Sequence, residues 1–180
     1  MKRTFLLLFI LSINLSVFAH KERWDENKEM WSPLMLAIYN SETSMYMELI
    51  KQNVDVNFQS GRKNSSCRLT ALEVAIRKED EIAVEALLNT NKILTPEIYI
   101  MVACAQNSAP NVELLIKYGA NPKETFDNGY TILMRAASFG SYEVLETLLE
   151  HGANTGGARD VDGITALMLA TFNGESQKVQ

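Results

Sequence analysis

Chemistry in this chain would have to start from very few groups. Its 180 residues hold two histidines, His20 and His151, and two cysteines, Cys67 and Cys104. Zinc held on a helix wants two histidines four positions apart, or paired Cys-x-x-Cys knuckles, and neither pattern occurs. No Gly-rich phosphate loop follows a strand pattern, and no Gly-x-Ser-x-Gly elbow presents a nucleophile. The carboxylates fall mainly on the outer faces of predicted helices or in turns, where solvation is the expected role. One narrower chemistry depends on processing. Cleavage before His20 would leave an amino group beside an imidazole, a pair able to chelate copper, but His151 lies too far along the chain to complete the site. No catalytic residue, metal site or cofactor is expected, and a metal-binding enzyme using His20 is the minor alternative.

The first residues look like an address and not a structural element. Lys2 and Arg3 precede an apolar run from Phe5 to Leu15, and Val17-Phe18-Ala19 places small residues where a signal peptidase reads them. The run is about half of the roughly 20 residues that span a bilayer. Residues 1–19 are therefore predicted to be a signal peptide, followed by a charged leader, 20–30, able to form a short capping helix. The expected location is periplasmic or secreted. Losing Lys2 and Arg3 takes the formal net charge from −5 to −7. An acidic surface argues against nucleic acid, whose phosphates need clustered Lys and Arg. No later stretch is long enough to cross a membrane. Two cysteines are too few for a disulfide scaffold, and Cys67 (a loop) and Cys104 (the small-residue slot of a helix) are not expected to meet.

The elements that must position any binding residue come from a repeat. Segments 131–137 (T-I-L-M-R-A-A) and 165–171 (T-A-L-M-L-A-T) match at an offset of 34. The stretches 32–37 (S-P-L-M-L-A) and 70–75 (T-A-L-E-V-A) carry the same phrase, and L-L-I-K-Y-G-A-N at 114–121 and L-L-E-H-G-A-N at 148–154 close such units. Within one unit, Asp127-Asn128-Gly129 signals a turn and Thr131 caps a helix that buries Leu133, Ala136 and Ala137. A second helix from about Ser141 to Glu150 places Val144, Leu145, Leu148 and Leu149 at helical spacing, with Gly152 as its left-handed cap. His151 adds a favourable charge near the carboxyl end of that helix.

Over roughly 31–180 this pattern resembles the ankyrin repeat. The resemblance implies an all-α solenoid of β-hairpin and helix-turn-helix units stacked in a curved array, with units starting near Ser32, Thr70, Ile98, Thr131 and Thr165. An alanine follows each start by five positions: Ala37, Ala75, Ala103, Ala136 and Ala170. Departures are visible. The second unit ends on Asn91 instead of glycine, an acceptable left-handed residue, and the third replaces T-P-L with Ile98-Tyr99-Ile100. An insert, Gln59 to Arg68, reads as a lengthened hairpin finger with Arg62, Lys63 and Arg68, and Asn64-Ser65-Ser66 is a glycan acceptor pattern. The last unit is incomplete after Gly174.

The resemblance also implies where contacts fall: hairpin tips and the exposed inner face of each first helix, the concave side. The residue before each start is Trp31, Leu69, Glu97, Tyr130 or Ile164. The two positions after the paired small residues are Tyr39 and Asn40, Arg77 and Lys78, Ala105 and Gln106, Ser138 and Phe139, then Phe172 and Asn173. Five of these fifteen are aromatic, against 8% of the whole chain, and rigid aromatics and Arg dominate interface energetics. The residues expected to bind a protein partner are Trp31, Tyr39, Arg77, Lys78, Gln106, Tyr130, Ser138, Phe139, Phe172 and Asn173. Packing competes with contact for Trp31, Phe139 and Phe172, whereas Tyr130 is expected to be exposed. Met35, Met101, Met134 and Met168 recur three residues after the start and are expected to fill space in the stack. The expected function is non-catalytic: a monomeric exported module that binds a protein, as an accessory or stabilising factor or as an immunity-type inhibitor. A repeat segment of a larger exported protein is the alternative.

Overall fold

The protein was analysed as a computed structural model that describes residues 30–60, 69–93, 96–126, 129–139, 142–155 and 163–172, without the side chains of Pro96, Glu97 and Phe172. The expected signal peptide, His20, the insert residues Arg62, Lys63, Asn64, Cys67 and Arg68, and Asn173 onward lie outside these residues. Among those described, nine helices follow one another: α1 Pro33–Tyr39, α2 Thr43–Lys51, α3 Ala71–Arg77, α4 Glu81–Leu88, α5 Pro96–Ala105, α6 Ala109–Lys117, α7 Ile132–Phe139, α8 Tyr142–Glu150 and α9 Ala166–Phe172.

Local chemistry explains why the helices begin where they do. Ser32, Thr70, Thr131 and Thr165 each accept, through the side-chain oxygen, the N–H three residues on, at 3.2–3.3 Å. Each bond satisfies one of the otherwise unpaired first-turn donors and stabilises its helix by about 1 kcal/mol. At Thr70 the bond is reciprocated, since Glu73 Oε2 accepts the Thr70 N–H at 2.9 Å and completes a capping box. Asp80 caps α4 through the Ala83 N–H at 3.0 Å.

Termination is equally regular. A left-handed residue precedes and follows the second helix of each of the first three units: Ser41 and Asn53, Glu79 and Asn91, Asn107 and Gly119. Each pair is separated by twelve positions, and Gly152 holds the closing place in the fourth unit at φ 78°. Glycine enters this region freely, Asn and Ser at a modest cost, so the shared spacing reflects one repeated fold plan.

Packing follows two layers. The first helices stack in the order α1, α3, α5, α7, α9 and the second helices in the order α2, α4, α6, α8, while α1, α3, α5 and α7 each also pack on their own second helix. Small side chains let the first-helix layer close up: Ala37, Ala75, Ala103, Ala136 and Ala170 are at most 3% exposed. Leu34, Ile38, Leu72, Ile76, Ile100, Leu87, Leu115 and Leu148 fill the space between layers. Hydrogen bonds pin successive units together. Tyr46 donates to Asp80 (3.4 Å), Thr70 to the Tyr99 hydroxyl (3.3 Å) and Tyr118 to Asn89 (2.8 Å).

Three expectations change. The hairpins are rudimentary: the described residues hold one isolated bridge, Thr125 to Thr131, and a paired contact of Ser60 with Leu69 at the base of the insert. The third unit's first helix starts at Pro96, not Ile98, because proline presets the helical φ at N1 and its missing N–H costs nothing there. Ile98 consequently lies within a helix and is 50% exposed. Met35 and Met134 are fully buried and Met101 partly so, but Met168 is 53% exposed, because no described element covers that side of α9.

Candidate protein-interaction face

Contact residues in a stack of short helices sit at the helices' C-terminal ends, where the chain turns and side chains leave the packed layer. Tyr39 closes α1, and Arg77 with Lys78 closes α3. Because α1 packs on α3, these ends are neighbours. Lys78 Nζ lies 5.0 Å from the centre of the Tyr39 ring, close enough for the ring's negative face to attract the cation. Trp31 meets Tyr39 edge to face at 5.4 Å and is only 6% exposed. This corrects its expected place: Trp31 holds Tyr39 in position from behind and presents almost no surface to a partner. Leu69 and Ile164 are likewise buried, at 7% and 8%.

The fourth unit carries the second cluster. Tyr130 and Ser138 hydroxyls meet at 3.2 Å, and Ser138 also donates to the Met134 carbonyl at 3.0 Å. Tyr130 is half-buried, less open than its turn-flank position suggested. Phe139 is half-buried too, with the Arg135 guanidinium carbon 4.4 Å above its ring. Gln106, at the end of α5, stands in the unit between the two clusters and is half-buried. Phe172 ends α9, with its side chain outside the described residues, as is all of Asn173.

Arg135 was not among the residues expected from the sequence. Its side chain is largely buried, and among the described residues nothing accepts a hydrogen bond from its Nε. Burial lowers its pKa. The Tyr130 hydroxyl and Cys104 thiol oppose that shift, and the like charge of Arg77 adds to it. Burial also pushes the Cys104 thiol up to about 12, so this cysteine behaves as a small hydrophobe. A sequence signal existed. Four positions after the cap slot the other units carry Leu36, Val74, Val102 and Leu169, so a charge there is an anomaly of pattern.

Elsewhere the chemistry is bland. No group of three or more His, Cys, Asp or Glu able to hold a metal occurs among the described residues. His151 Nδ1 meets the Thr147 carbonyl at 2.8 Å, a local contact on the last turn of α8. A groove of about 490 Å³ opens beside α7, α8 and α9, lined by apolar Leu133, Ala137, Leu145 and Leu167 with Glu146 and Glu150 at its edge. On α4 and α6, the corresponding flank is covered by the next second helix.

Against known proteins, residues 100–180 match the family model of ankyrin repeats in three copies, and the helix-pair stack carries the same plan back to Pro33. Residues 100–180 thus carry ankyrin repeats. A curated ankyrin repeat protein of Fowlpox virus (strain NVSL) is 27% identical over 177 residues, which cover 92% of this chain. The chain spans about half, 50%, of that relative's length. Ankyrin repeats generally mediate protein–protein interaction and are typically non-catalytic.

Proposed function

We propose that this protein is exported on residues 1–19 and works outside the cytoplasm as a monomeric binding module, without catalysis. It docks a protein partner across the C-terminal ends of its first helices, either supporting an exported enzyme or neutralising a toxin in the manner of an immunity protein. The observation that carries the docking face is the pair of clusters on the first helices, Lys78 against Tyr39 in one and Arg135 against Phe139 with Tyr130 bonded to Ser138 in the other. Export is supported by the basic start, the apolar run and the small residues before His20. Among the described residues no helix is long and apolar enough to cross a membrane.

The test is retention of a partner from periplasmic or secreted extract by immobilised protein, comparing the native sequence with Tyr130→Ala plus Phe139→Ala. The double variant is expected to stay folded by circular dichroism and to lose the partner. Full retention by the folded double variant refutes this face. Mass analysis of exported protein checks the processing, which predicts His20 at the N-terminus.

A further inference from the structure

We propose that Arg135, together with Arg77 and Lys78, forms a carboxylate-accepting stripe that selects an acidic peptide segment laid across the first helices. The inference deepens the docking reading and rests on it.

One slot of the repeat carries an exchange that works against stability. At the slot four residues after each cap, Leu36, Val74, Val102 and Leu169 pack as apolar side chains. The fourth unit puts a guanidinium there. A desolvated charge without a carboxylate partner destabilises a fold, whereas Leu or Val at the same slot would stabilise it. Such exchanges survive where binding benefits from them. Among the described residues no carboxylate acts on Arg135. Arg77 is drawn towards Glu73 on its own helix and repels Arg135. The described side chains of α5 and α9, which pack on either side of α7, include no carboxylate, Lys, Arg or His, only the weakly acidic Tyr99 and Cys104. The Arg135 guanidinium carbon also lies 4.4 Å from the centre of the Phe139 ring, and a guanidinium is the cation whose planar fork matches a carboxylate with two hydrogen bonds.

Charge decides the partner class. The second helices carry Glu81, Glu85, Glu113, Glu143, Glu146 and Glu150, within a chain of net charge −5. A long polyanion such as nucleic acid meets repulsion from that flank. A peptide with a few carboxylates spaced along an apolar strand meets Arg77, Lys78 and Arg135 while setting its apolar side chains against Tyr39 and Phe139.

The experiment is fluorescence anisotropy of the purified full chain with a fluorescein-labelled peptide of alternating glutamate and serine around one leucine. Its glutamine counterpart and single-stranded oligothymidine are run beside it. Arg135→Leu is expected to weaken peptide binding by at least about tenfold while melting at the same or a higher temperature, and Arg135→Gln should lose binding similarly. Lys51→Gln, at the end of α2, should change nothing. Equal binding by Arg135→Leu, equal binding of the glutamine peptide, absence of peptide binding, or binding of oligothymidine alone each overturns the inference. The two levels separate in partner retention. If Tyr130→Ala plus Phe139→Ala abolishes it while Arg135→Leu leaves it intact, the acidic chemistry falls and the docking face stands. Retention by both variants removes the docking face as well.

Discussion

Asn111 is the most informative residue to perturb for stability. It lies on α6, fully buried, and among the described residues neither its amide nitrogen nor its amide oxygen finds a hydrogen-bond partner. Counting from the left-handed residue that precedes each second helix, the equivalent positions are Met45, Ala83 and, in α8, Val144. The slot therefore holds apolar side chains of several sizes. Replacing Asn111 with Val removes two unsatisfied polar atoms, worth about 1–3 kcal/mol. It adds buried methyl groups worth roughly 1 kcal/mol, partly offset by local crowding of similar size. Helix propensity barely enters, since Asn and Val rank together. The net expectation is a gain of about 1–2 kcal/mol, which for a domain of this size raises the melting temperature by roughly 3–6 °C. Urea unfolding followed by circular dichroism measures it, with an unchanged slope showing that the unfolded state is not what moved. The reciprocal change, Val144→Asn, should destabilise by about 2–4 kcal/mol. A lower midpoint for Asn111→Val would mean that the amide is hydrogen-bonded inside the stack, and the reasoning would fail.

Two further outcomes follow from buried titratable groups. Burial raises the Glu73 pKa, against the pull of Thr70 and Arg77, so ionising it costs more in the folded than in the unfolded chain. Its contribution to stability is complete below the unfolded carboxylate pKa and is lost as pH rises through the raised folded value. Glu73→Gln, which can keep the capping contact, should therefore gain on the native protein as pH rises from about 4 to 7; a constant difference across that range contradicts this. With Cys67→Ser, the remaining thiol, Cys104, should react with a disulfide reagent at pH 8 roughly a thousandfold more slowly than a free cysteine, because its pKa is pushed to about 12. Fast labelling of the native protein refutes its burial.

Much of the architecture was legible because it is written in short-range chemistry. Capping by Thr70, Thr131 and Thr165 involves residues three apart, and left-handed closure at Asn91 and Gly152 depends on one residue's own sterics. The five cap-to-alanine spacings then imposed the stack. The start of the third unit's first helix was less legible for the same reason. Its T-A-L phrase is absent, so the spacing to Ala103 pointed to Ile98, while proline at 96 starts the helix earlier.

By itself, then, the sequence determined the helix pairs, their ends and the order in which they stack, since each signal acts within one turn of chain. Tertiary structure alone decided which aromatics are open. Trp31 turns inward against Tyr39 and Lys78 turns out over it, across a boundary between units separated by 39 positions. It also decided that Arg135 would sit desolvated near Cys104 and Arg77. Distances between units depend on how closely whole helices approach, and no local pattern encodes that.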